Sequence, residues 1–172
     1  MLAYLFVVLA VAFRFVHHPV AFTPVGAALL YFGARQPRKR IWIPLVALIV
    51  SDLLLTRFSY GYPFVADQFV IWAWYAGVML LGGVLGRNAS VPRLAGAALG
   101  MSVSFFVVSN FAVWAAWRNM YPATLSGLMT CYAAALPFFR NEVAADLLFT
   151  AVFFGVGAAI AHRKEADHRL AA

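Results

Sequence analysis

An all-α membrane protein, a six-transmembrane-helix bundle with an additional short helix before the last span, is the fold class that this 172-residue sequence predicts. Three observations predict it. Hydrophobic residues make up 65% of the chain and charged residues 11%, against about 25% charged in an average soluble domain. A soluble chain of this length has too little interior to hide that much apolar surface. The apolar residues also fall into runs of near-membrane length, separated by short loops rich in Pro, Gly and Arg. Finally, the net charge of +7 comes from basic residues dispersed among those loops. Such dispersal suits the positive-inside bias of membrane proteins and excludes a nucleic-acid partner. A single cysteine rules out an internal disulfide.

The first span covers residues 2–16. Ala10-Val11-Ala12 resembles a signal-peptide cleavage site, but no basic segment precedes the apolar run, so a retained helix is expected, with Arg14 snorkelling at its end. Pro19 and Pro24 make 17–24 irregular, and Pro24 suits the first turn of the second span, 24–34. That span is short, and its Gly26, Ala27, Ala28 and Gly33 permit close backbone approach. The densest basic cluster, Arg35 to Arg40, leads into the third span, 41–55, which carries Ser51 and Asp52 near its far end. An aromatic loop over 56–67 precedes the fourth span, 68–85, whose Trp72, Trp74 and Tyr75 suit an interfacial belt. The fifth span, 94–117, carries Gly96 and Gly100 at the spacing of Gly82 and Gly86 on the fourth, so these two faces are expected to meet. Residues 123–139 hold too short an apolar run for a full span and end at Pro137, which predicts a separate re-entrant or surface helix. The last span is 143–161. Residues 1–162 thus form a single integral membrane domain, with 163–172 a cytoplasmic tail.

Charge supports six spans. With both termini cytoplasmic, nine basic residues lie inside (Arg35, Arg38, Lys39, Arg40, Arg87, Arg93, Arg163, Lys164, Arg169) and four outside (Arg14, Arg57, Arg118, Arg140). Making 123–139 a seventh span would leave seven against six. The same topology sends the unusual polar residues to the outer end: His17, His18, Thr23, Asp52, Arg57, Asp67 and the polar side chains of the stretch from Ser109 to Asp146. Polar groups at membrane depth are expensive and mark ligand paths or partners. An outward pocket, closed below, follows.

Each group also has a structural role open to it. Asp52 either contacts a ligand or pairs with Arg14 or Arg57, because an unpaired carboxylate there is costly. Glu142 and Asp146 share a helix face, and with Arg140 they also suit a solvated helix start. Cys131 suits packing, and Trp114, Trp117, Tyr60 and Tyr62 suit stacking on a flat ligand. No metal-ligand spacing, nucleophile elbow, phosphate loop or dinucleotide fingerprint occurs, so no metal or other cofactor is expected.

Several blocks resemble a known family. Arg14-Phe15-Val16-His17-His18-Pro19 with Phe22-Thr23-Pro24-Val25-Gly26-Ala27 resembles the start of an uncharacterised bacterial membrane family similar to the substrate-binding S components of energy-coupling factor transporters. Pro44 to Asp52, Ser109-Asn110-Phe111, Tyr121-Pro122 and Leu136 to Asn141 with Asp146 resemble it too. The resemblance implies an S-component-like bundle in the bacterial cytoplasmic membrane, capturing a vitamin-like small molecule at its outer face. It also implies an energising transporter module as partner, although the Ala-x-x-x-Ala patch used for such docking is missing from Ala3, Ala10 and Ala12. A cobalamin-uptake relative of S components brings a cysteine near cobalt; Cys131 matches no motif of that relative. Together these readings put His18, Asp52, Asn110, Arg118, Tyr121, Arg140, Asn141 and Asp146 around the ligand. The alternatives are an intramembrane enzyme with Asp52 or Glu142 as acid/base, and a structural subunit whose polar cluster binds another protein.

Overall fold

The computed structural model describes residues 1–61 and 63–170; Tyr62 and the side chain of Tyr60, both named above for stacking, lie outside what is described, as do residues 171–172. The described chain is helical, with no strand. Its elements are α1 (Leu2–Phe13), α2 (Val25–Arg35), a 3-10 turn (Arg38–Arg40), α3 (Trp42–Leu54), a π-helical turn (Leu55–Tyr60), α4 (Asp67–Leu85), α5 (Val91–Ala116) and α6 (Leu125–Leu170).

Among the described residues four stretches are long and apolar enough to cross a membrane: Arg38–Ser59, Asp67–Leu85, Val91–Ala116 and Leu125–Arg169. Their outward faces are apolar, with Val46, Val50, Val103, Val107, Leu147 and Leu148 all exposed. Such a surface suits lipid and not water, and the chain is accordingly a helical membrane protein. The 12 residues of α1 and 11 of α2 rise only about 18 and 17 Å at roughly 1.5 Å per residue, well short of a hydrocarbon core of about 30 Å.

Consecutive helices run antiparallel. Tyr4 and Phe6 at the start of α1 meet Phe32 and Tyr31 at the end of α2, with ring centroids 5.2 and 5.0 Å apart. The end of α1 meets the end of α3 through Arg14 and Asp52. Trp117, which closes α5, donates to Asp67 at the start of α4 at 3.2 Å. Midway along, Ser102 of α5 faces Asp146 of α6.

Helix α2 is the centre of the bundle, and every residue from Val25 to Ala34 is buried. Its small side chains let neighbours come to backbone contact. A Cβ at Gly33 would overlap the Met79 carbonyl of α4, and one at Gly82 would overlap the Leu30 carbonyl, neither of which can yield. The expected meeting of Gly82 with the Gly96–Gly100 face is therefore corrected. Gly82 packs on α2, and Gly96 and Gly100 have nothing within 4 Å of a Cβ. Gly82→Ala should cost about 1–3 kcal/mol by overpacking. Gly83→Ala, where the nearest atom lies 3.7 Å away, should stay within about 0.5 kcal/mol. Thermal unfolding of the two variants side by side in detergent measures the difference.

A second correction concerns the short helix. Residues 123–139 do not form a separate element, because α6 runs unbroken from Leu125 through Pro137 to Leu170, and the tail is its continuation. Thr124 opens the helix by accepting the Gly127 amide hydrogen at 3.1 Å. Pro137 removes one helical hydrogen bond, but the residues after it, Phe138 to Ala145, include no Gly or Pro. Phe139 packs on Phe106 of α5 at 4.7 Å and holds the segment in place. The 46 residues of α6 extend about 69 Å at roughly 1.5 Å per residue, more than twice the bilayer core.

Candidate functional site

The unequal helix lengths create a recess. Asn141 donates to the Val20 carbonyl at 3.0 Å, which pins the α1–α2 loop beside the middle of α6. From that contact to the first residue of α6 is 16 residues, about 24 Å of helix at roughly 1.5 Å per residue. Where the short α1–α2 hairpin stops, the longer α4, α5 and α6 continue, and a cavity of about 860 Å³ opens. Its walls come from the α1–α2 loop (His17, His18, Thr23), from α4 (Trp74, Tyr75), from Phe105 of α5 and from Glu142 and Asp146 of α6. Below it the bundle is closed by packed rings: Phe6 stacks on Phe153 at 4.1 Å, and Tyr31 meets Phe154 edge-on at 5.0 Å.

Asp146 is the deepest acid on the wall, 3% exposed. One of its oxygens accepts from Ser102 at 2.8 Å. The other lies where a Cβ on Gly26 would stand, so a glycine at that position leaves the carboxylate room. Glu142, one turn earlier on the same face, is half-buried on the same wall. Nε2 of His18 is buried with no hydrogen-bond partner among the described residues. Its ring stands edge-on to Phe13 at 5.1 Å. Ala21, also on the wall, has φ 62, a conformation that costs a residue with a Cβ about 1–2 kcal/mol and is retained where surrounding structure dictates it.

A smaller cavity of about 210 Å³ adjoins the first across shared walls of Arg14, Tyr75 and Phe105. Asp52 lines it and is held on both oxygens: one is ion-paired with Arg14, the other accepts from Trp72 Nε1 at 2.9 Å. Arg14 also donates to Ser51 at 2.6 Å. Of the two pairings open to Asp52 in the sequence, the one with Arg14 forms. Trp72 is this carboxylate's donor, a role that a purely interfacial reading of the tryptophan misses.

The eight residues expected around the ligand are only partly brought together. His18 and Asp146 line the large cavity, Asp52 the small one. Asn141 braces the loop from outside the cavity. Asn110 donates to Phe106 on its own helix at 2.7 Å. Arg118 lies over the Trp114 ring at 5.1 Å, beyond the end of α5. Tyr121 sits half-buried in the α5–α6 loop, and Arg140 is exposed on α6; neither lines a cavity described here. Of the stacking candidates, Trp114 is engaged away from the cavities with the Pro122 carbonyl at 2.9 Å, whereas Trp117 lines the small cavity together with its acceptor Asp67. Cys131 is buried off the cavity wall, its thiol donating to the Asn110 carbonyl at 3.4 Å. Among the described residues no three His, Cys, Asp or Glu side chains come close enough to hold a metal.

Residues 1–168 match DUF6580, a family of unknown function. No curated protein and no solved structure matches the chain.

Proposed function

This chain belongs to the DUF6580 family, and we propose that it captures a small molecule in the large cavity and carries it inward, as an S-component-like uptake protein of the bacterial cytoplasmic membrane. The observation behind this reading is the cavity itself. Its volume of about 860 Å³ falls within the roughly 300–1,000 Å³ of small-molecule sites. It combines an aromatic wall with a few polar groups, and packed aromatic rings lie beneath it. In the proposed arrangement all six helices count as spans, both termini are cytoplasmic, and the cavity faces outward. The four long helices and the apolar outer surface support embedding in a membrane; the six spans and their sidedness rest on the distribution of basic residues among the loops. Since α1 lacks the Ala-x-x-x-Ala spacing, docking on a shared energising module is not part of the proposal.

Native mass spectrometry of gently purified protein tests the reading. A co-purifying small molecule, released by filling Gly26 with leucine at the cavity wall, is the expected result. A parent protein that carries no ligand and gains no thermal stability from any member of a vitamin panel would overturn it.

A further inference from the structure

The balance of charge on the cavity wall identifies a ligand class. Among the described residues six titratable side chains line the space: Arg14, His17, His18, Tyr75, Glu142 and Asp146. Arg14 is already matched by Asp52. Among the described residues no basic side chain lies within ion-pair distance of Glu142 or Asp146, which leaves two carboxylates uncompensated. A carboxylate removed from water without a counter-charge is costly, and no ion pair among the described residues supplies one to Glu142 or Asp146.

Three further features point to an occupant. Asp146 is 3% exposed yet lines the cavity, and Ser102 satisfies only one of its oxygens. Gly26 keeps the approach to the second oxygen free of a side chain. Nε2 of His18 is a buried polar atom on the same wall with no partner among the described residues. The same cavity is also lined by Trp74 and Phe105, with ring centroids 4.7 Å apart, and by Tyr75, whose ring lies 6.1 Å from that of Trp74. Aromatic faces attract cations and stack on flat rings.

We propose that this cavity selects an organic cation with N–H donors on a flat aromatic body. The cationic end sits against Glu142 and Asp146, and the ring lies along Trp74, Tyr75 and Phe105. The inference rests on reading the cavity as a ligand chamber and adds the charge and shape of the ligand.

Calorimetry of the full chain in nanodiscs tests it with three probes sharing one indole ring: tryptamine (cation), indole-3-acetamide (neutral) and indole-3-acetate (anion). Empty nanodiscs correct for partition into lipid. Tryptamine is expected to bind at least tenfold more tightly than the amide, and the acetate not detectably. Glu142→Gln should weaken tryptamine tenfold or more while leaving the amide within twofold. Asp146→Asn, which keeps a hydrogen-bonding partner for Ser102, should do the same. Amide or acetate binding as tightly as tryptamine, or tryptamine binding indifferent to both substitutions, overturns the charge assignment and leaves the uptake reading standing. Absence of binding by all three probes also overturns it, and the co-purification experiment then decides separately whether the chamber holds any ligand.

Discussion

Asp52→Ala should be the most damaging single substitution, lowering stability by about 3–5 kcal/mol, the usual cost of leaving a buried charge without its partner. The Arg14 and Asp52 side chains are only 14% and 7% exposed. Removing the carboxylate takes the Asp52 counter-charge from the guanidinium and leaves the Trp72 indole hydrogen without its acceptor. One carboxylate joins α1, α3 and α4 at the level where the short first helix ends, so its loss loosens three elements together. Asp52→Asn keeps an acceptor for Trp72 and should cost less. Replacing both partners with apolar residues, Arg14→Met with Asp52→Leu, should recover most of the loss, because a buried ion pair exchanged for well-packed apolar groups is often close to neutral. Thermal unfolding of the four proteins in one detergent measures this. If Asp52→Ala unfolds within a degree or two of the parent, the pair is not a structural anchor and the carboxylate becomes available to a ligand.

That pair also shows how far the amino-acid sequence can be read. Arg14 and Asp52 stand 38 positions apart, but each is a charge at the end of an apolar run, and a charge at that depth demands a partner. Glu142 and Asp146 were legible as neighbours because four residues make about one helical turn. Gly26, Ser102 and Phe105 were not, since each resembles the small or apolar residues of any membrane helix. Their place on or beside the cavity depends on which helices pack together. The glycine pairs illustrate the same limit: spacing tells that Gly82 seeks close contact but not with which neighbour, and α2 is the neighbour. Apolar runs set 123–139 apart from the last span because such a run measures only length in hydrocarbon. Backbone hydrogen bonding continues through Arg140, Asn141 and Glu142 whatever their polarity. Sidedness, joined for Tyr121 by the family resemblance, places Arg118 and Tyr121 at one end of the bundle but not on one wall. Here α5 and α6 carry them well past the recess.

Cysteine labelling should give the other large effect, an all-or-none difference between the two ends of the bundle. Cys131 is 2% exposed, and replacing it with alanine supplies a background without thiols. Arg118→Cys and Ser59→Cys, each at an exposed position, should react fully with a membrane-impermeant maleimide added to intact cells. Lys39→Cys and Arg87→Cys, also exposed, should react only in inverted vesicles. Ser59 is the critical position because it lines the large cavity, so its side of reaction is the side to which the chamber opens. The outcome does not hinge on whether α1 and α2 cross the bilayer completely. An antiparallel pair returns the chain to the end where it began, so Met1 and Lys39 share a side whether the bundle makes four crossings or six. Labelling of Ser59→Cys only in inverted vesicles would mean that the recess faces the cytoplasm in the resting protein, and capture from outside would be excluded. Labelling together with Arg118→Cys, and protection by whatever molecule co-purifies, would join sidedness and occupancy in a single measurement.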